Sequence, residues 1–251
     1  MNANYYIREA RLCTKEISSF SNYPYCLSLI KNLSAIKFHP KVTYIIGENG
    51  TGKSTILEAI AIAYGFNAEG GSKNFNFSTR DTHSDLWRNL KLIKGTKVPK
   101  DSFFLRAESF YNLASNIDDI DANNSYGGKS LHAQSHGESF MSLIMNRFRG
   151  NGLYILDEPE AALSPSRQMV LLSRMHDLIE ENSQFIITTH SPIVLSYPDS
   201  IIYELDDRLN KINYEDTEIY QITKSFVNNP KKMLDILIYK SKWFIEEHYM
   251  H

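Results

Sequence analysis

The sequence predicts an α/β fold in which a mostly parallel sheet is covered by helices. Three observations carry that expectation. Short β-type runs alternate with segments of helical periodicity along the chain. The runs at Val42–Ile46, Leu153–Leu156 and Phe185–Thr188 are apolar almost throughout, as strands buried on both faces are. Each of the three ends in a polar or glycine-rich cluster, which puts the chemistry at the carboxyl ends of the strands.

Taken in order, residues 1–46 read as strands with an inserted loop, with Ile36–Phe38 and Val42–Ile46 as the clearest runs. Ser54–Tyr64 reads as a buried helix with Ile56, Leu57, Ile60 and Ala61 on one face. Gly65–Lys100 is polar, aromatic and punctuated by Gly70-Gly71, and we expect an inserted subdomain with one helix near Ser84–Ile93. Phe103–Arg106 is expected as a strand, Asn116–Ser130 as loop, Ser139–Phe148 as helix and Leu153–Leu156 as a buried strand. Pro165–Asn182 reads as a helix with Met169, Leu172, Met175 and Ile179 turned inward; Phe185–Thr188 and Ile201–Glu204 add strands, and an amphipathic helix follows from Pro230.

The composition is that of a globular protein: 251 residues, 42% hydrophobic, long enough for one large α/β domain or two small ones. A net charge of −2 excludes a protein that coats nucleic acid by bulk electrostatics, though a local basic patch stays open. Cys13 and Cys26 have no metal or redox spacing; a reduced pair is expected, with a disulfide as the alternative. The charged first twenty residues do not read as a signal peptide, and no apolar run approaches the roughly 20 residues that span a bilayer. A cytoplasmic protein without direct membrane insertion is expected.

Gly47-Glu48-Asn49-Gly50-Thr51-Gly52-Lys53-Ser54-Thr55 matches G-x-x-x-x-G-K-[ST] in full, between a strand and a helix. Glycines let the backbone turn successive N–H groups toward phosphate oxygens, and the helix N-terminus adds its dipole. Lys53 then reaches the β- and γ-phosphates and Ser54 offers a hydroxyl to Mg²⁺. A glycine turn with an incidental lysine would not require that strand–loop–helix context. ATP and Mg²⁺ are therefore the expected ligands.

Asp157 and Glu158 end the Leu153–Leu156 strand, where unpaired carboxylates are expensive to bury. Asp157 is placed to reach the metal beside Ser54, and Glu158 to polarise an attacking water; capping of the following helix is the alternative. His190 ends the next apolar strand and is a candidate to contact the γ-phosphate and hold that water, or is a structural strand-end histidine.

These residues, in this order, resemble the ABC-ATPase superfamily, most closely a small stand-alone branch of AAA-family ATPases akin to SMC-type heads and overcoming-lysogenization-defect ATPases. The resemblance runs from about Tyr5 to about Leu237. It implies a P-loop NTPase fold of ABC type: a mostly parallel central sheet flanked by helices, an antiparallel N-terminal β part and a helical signature subdomain. One domain over 1–251 follows, with 1–64 and 150–251 as the core lobe and 65–149 as the inserted and signature subdomain. Gly47–Thr55 corresponds to Walker A, Leu153–Glu158 to Walker B, His190 to the switch histidine and Glu160–Pro165 to the D-loop, with Ser164 where an aspartate is usual.

The signature turn falls on Ser135-His136-Gly137-Glu138, with His136 in place of a glycine; helix capping by Ser135 is the competing reading. The resemblance places the Q-loop, and with it a further metal contact, at Glu108, where a glutamine is usual. Arg11 and Tyr25 are candidates for the adenine contact, and the Gly70–Arg80 stretch is either a nucleotide or partner contact or a solvated loop. The resemblance further implies an ATP-dependent head-to-tail homodimer in which Ser135, Gly137 and Glu138 of one chain face the nucleotide held by the other. We expect a stand-alone ATP-driven switch acting on a protein or nucleic-acid partner, in DNA maintenance or phage defence. An ATP sensor with negligible turnover and the soluble ATPase of a transporter are the alternatives, and a small-molecule kinase accounts for fewer of the residues.

Overall fold

The computed structural model of the chain describes residues 5–73, 84–107 and 136–240. The chain divides into two compact units, residues 1–212 and 213–251.

The first unit holds two sheets. Strands β1 (Ile7–Leu12), β2 (Ala35–Lys37), β3 (Val42–Gly47), β4 (Leu90–Lys94), β5 (Asp101–Arg106), β6 (Gly152–Asp157), β7 (Gln184–Thr188), β8 (Ser200–Leu205) and β9 (Leu209–Ile212) are separated by helices α1 (Ser28–Asn32), α2 (Lys53–Tyr64), α3 (His136–Arg147), α4 (Pro165–Glu180) and α5 (Pro192–Leu195). The larger sheet runs β5-β6-β7-β3-β8-β9, parallel except for β9, and the smaller antiparallel one runs β2-β1-β4. The expected α/β class, with its antiparallel N-terminal part, is borne out. In β3, β6 and β7 nearly every residue is buried, which is why these strands read as unbroken apolar runs. The α2 helix packs against them and buries Ile56, Leu57, Ile60 and Ala61, the face expected from sequence.

Residues 84–93 depart from the expected helix. A short 3₁₀ turn over Asp85–Asn89 gives way to β4, which pairs with β1 from Leu12↔Leu90 to Ile7↔Lys94. Leu86, Leu90 and Ile93 imitate helical spacing, but Leu90 and Leu92 also alternate with a period of two, and pairing with β1 selects the strand. Within the segment expected as an insertion, β4 and β5 thus belong to the two sheets. Gly71 also bridges to Phe104 on β5.

The inward face of α4 differs too. Gln168, Leu171, Met175 and Leu178 are buried, whereas Met169 is 58% exposed. A polar side chain holds the inward position because its amide is satisfied: Gln168 Nε2 donates to the Leu163 carbonyl at 3.0 Å, and its Oε1 accepts from the Ser191 hydroxyl at 2.6 Å. Gln184, at the start of β7, ties the two sheets together. Its Oε1 accepts from the Tyr6 and Ile7 amides at 2.9 and 3.0 Å, and its Nε2 donates to the carbonyls of Ile7 and His39.

In the second unit, α6 (Glu218–Asn228) is capped by the Thr217 hydroxyl, and α7 (Pro230–Asp235) begins at the proline that marked it in the sequence. The Tyr214 and Tyr220 rings pack at 4.7 Å. Cys13 and Cys26 are free. Among the described residues, no helix is long and apolar enough to cross a membrane.

Candidate active site

The site lies where β3, β6 and β7 end. The central β3 delivers the chain to Gly47, where a Cβ would stand 2.5 Å from the Leu205 carbonyl, so only glycine lets the loop turn there. Gly52, at φ 100°, closes the loop directly into α2. Between them Glu48, Asn49 and Gly50 are exposed. Lys53 is buried, and its ammonium donates to the carbonyls of Gly47 and Glu48, both at 2.8 Å. Burial pushes this ammonium below the ordinary lysine range, against the pull of Glu158, Asp157 and Glu160. A cation already desolvated and curled inside its loop is preorganised for an anion that replaces those carbonyls.

Asp157 accepts from the Ser54 hydroxyl at 3.1 Å and from the Thr188 hydroxyl at 2.6 Å, while Arg106 Nε stands 3.7 Å from its other oxygen. The strand register sets this cluster, because Asp157 pairs with Arg106 on β5 and with Thr188 on β7. Arg106 is fixed from behind by Glu58 of α2 at 2.7 Å. No group of three or more His, Cys, Asp or Glu side chains gathers to hold a metal among the described residues. One hydroxyl and one carboxylate fit Mg²⁺, which keeps several waters and takes other ligands from substrate phosphates.

Glu158 leaves the strand in the left-handed conformation, φ 49°, with its amide donating to the Thr188 carbonyl and hydroxyl, each at 3.1 Å. That turn directs its carboxylate toward the cleft, where His190 Nε2 stands 3.5 Å from Oε1. Among the described residues, Nε2 is enclosed without a hydrogen-bond partner.

The cleft, about 230 Å³, is lined by Asn49, Gly50, Gly52, Lys53, Ser54, Thr55 and Glu158, together with Tyr23 and Leu27. The structure thus brings the loop, Ser54, Asp157, Glu158 and His190 together. Tyr23, which sequence reasoning missed, is 63% exposed, and its hydroxyl shares a hydrogen bond of 2.6 Å with that of Thr55. Tyr25 instead accepts from Asn89 and donates to the Asp85 carbonyl, and Arg11 pairs with Glu9 on β1. Neither lines the cleft.

Glu108 and Ser135 lie outside the described residues, as does most of Gly70–Arg80. Gly137 is buried in the first turn of α3, where a Cβ would come within 2.5 Å of both the Ala162 carbonyl and Arg167 Nη1. Glu138 Oε1 pairs with Arg167 Nη2 at 3.3 Å. These two residues therefore contact the segment after Glu158 within their own chain.

A family model described as ABC transporter matches residues 30–161, more than half of the chain, and one described as AAA ATPase domain matches residues 137–195. The ABC transporter G family member STR2 of Medicago truncatula is 24% identical over 172 residues, 60% of this chain, and the match spans about a quarter (24%) of that protein's length. Among solved structures, cbiO1 from Clostridium perfringens, part of the ABC transporter complex cbiONQ, has a TM-score of 0.50 at 18% identity, covering 91% of this chain and 97% of its own. The SMC head domain from Thermotoga maritima has a TM-score of 0.44 at 16% identity, covering 82% and 98%. With the loop, the two acids and the histidine assembled at the ends of three parallel strands, the chain belongs to the ABC family and is an ATP-binding, ATP-hydrolysing protein.

Proposed function

We propose that Gly47–Thr55 wrap the triphosphate of ATP, with Lys53 on the β- and γ-phosphates and Ser54 and Asp157 holding Mg²⁺. When bound there, the metal would neutralise charge developing on the phosphate oxygens. Glu158 orients and polarises the attacking water, and His190, whose Nε2 faces Glu158 across 3.5 Å, steadies that water or the γ-phosphate. The exposed Tyr23 ring at the mouth of the cleft offers a stacking face to the base. The observation that carries this reading is Asp157 bonded to Ser54 directly beside the loop, with Glu158 lining the same cleft.

Among the described residues, Tyr23, Glu158 and His190 are partly exposed, and a second surface would cover a bound triphosphate. The reading therefore includes a head-to-tail, two-fold homodimer in which ATP stabilises association and the Ser135–Glu138 segment of one chain faces the nucleotide of the other. Hydrolysis loosens the dimer and drives a stand-alone cytoplasmic switch on a protein or nucleic-acid partner. A transporter-associated ATPase is the second reading, favoured by the family match and by the likeness to the Medicago ABC transporter; a membrane subunit co-purifying with the chain would select it.

The test is ATPase rate per protomer against protein concentration. A rate that rises with concentration and is lost in Ser135→Arg supports the shared site. A rate independent of concentration removes the dimer, and tight binding without turnover makes the protein a sensor.

A further inference from the structure

His190 lies beyond the end of β7, so the strand ladder does not fix it. Its backbone amide donates to Glu160 Oε1 at 2.6 Å, while its ring faces Glu158. Glu160 thus holds the backbone of the histidine on one side, while Glu158 faces its ring on the other. The next residue, Ser191, donates its hydroxyl to Gln168 at 2.6 Å, and the same hydroxyl accepts from the Ile193 and Val194 amides that open α5. Gln168 in turn grips the Leu163 carbonyl. The two ends of the 160–168 segment are therefore bonded to two successive residues of the histidine turn. Between those ends, Ala162 and Arg167 meet Gly137 and Glu138 in the first turn of α3.

We propose that Glu160 and Gln168 are positioning residues that tether His190 to the 160–168 segment, so that a displacement of the first turn of α3 reaches the histidine. This rests on the reading of Glu158 and His190 as the hydrolytic pair. Neither Glu160 nor Gln168 touches the phosphates; each acts through the backbone or hydroxyl of the histidine turn. The linkage is specific because the Ser191–Gln168 bond is buried and the His190–Glu160 bond part-buried, and a polar pair broken in buried surroundings is poorly replaced by water. An apolar segment in the same place would pack but would not carry a displacement to one particular residue.

The experiment combines Glu160→Met and Gln168→Met with His190→Ala, reading ATP affinity and kcat separately. Each methionine variant is expected to lower kcat about tenfold while ATP Kd changes by less than about threefold. Glu160→Gln, whose amide oxygen still accepts from the His190 amide, should recover most of the rate. In the His190→Ala background the methionine substitutions should cost less than about twofold further, since the group they position is gone. Full additivity in that background, or loss of ATP affinity in step with kcat, overturns the proposal. Should Gln168→Met fail to fold, Gln168→Asn keeps the amide one methylene short and reads the same coupling. If His190→Ala alone leaves kcat intact, the underlying reading fails instead, and the two failures are thereby distinguished.

Discussion

Lys53 is 4% exposed and bonded twice to carbonyls of its own loop, whereas Glu158 and His190, across the same cleft, have side chains 38% and 36% exposed and stand 3.5 Å apart without a shared hydrogen bond. Among the described residues, the proposed binding half thus has its cation desolvated in advance. Among the same residues, the proposed hydrolytic pair is the more exposed half. Hydrogen bonds and charges acquire their strength when water is excluded, so on the proposed reading one chain would hold ATP and hydrolyse it slowly until a second surface covers the cleft.

That contrast breaks most severely at the buried side. Lys53→Ala removes a charged donor from the phosphates and should weaken ATP binding about 100-fold or more, by calorimetric titration. On the open side, His190→Ala should leave ATP Kd within about threefold and lower kcat about 100-fold, the usual cost of one positioned donor, in steady-state assays. Equal losses of binding from both variants would erase the distinction between the halves.

Gln184 supplies a control away from the site. Replacing it by leucine leaves the Tyr6 and Ile7 amides buried without their acceptor, and should cost about 2–4 kcal/mol in urea unfolding while kcat per folded molecule is unchanged. A proportional fall in kcat would mean that the two sheets communicate with the cleft.

The smallest expected effect is electrostatic. Burial raises the Glu160 carboxyl above the ordinary glutamate range, outweighing the amide bond from His190 that lowers it. The folded chain therefore favours the protonated acid. Its stabilising contribution is fully present below the ordinary glutamate pKa and is lost as pH rises through the raised value. Glu160→Gln does not titrate, so the Tm of the variant relative to wild type should rise across that window. A constant difference would show that the group is hydrated.

Those parts of the site carried by contiguous residues were legible in the sequence. Gly47–Thr55 and Asp157-Glu158 each hold their geometry within a single strand end and turn, so spacing alone announces them. His190 was singled out because it follows an apolar run of the same kind. Tyr23 was not, since it meets Thr55 across 32 residues from a loop with no periodicity. The strand at Leu90–Lys94 was hidden by apolar spacing that satisfies helix and strand alike until β1 supplies the hydrogen bonds. Gln168 and Gln184 defeated the reading for a related reason: burial of an amide is decided by partners distant in sequence, and hydropathy cannot see them. The same blindness hid Glu160 as a tether until its partner amide was in view.

The claim that the open half is completed by a second chain is tested most directly with Glu158→Gln, run on size exclusion in Mg-ATP and in its absence. A variant that binds ATP, turns over at least about 100-fold more slowly and elutes as a dimer only with nucleotide is the expected result. A variant that binds ATP with wild-type affinity yet remains monomeric at every concentration would contradict it.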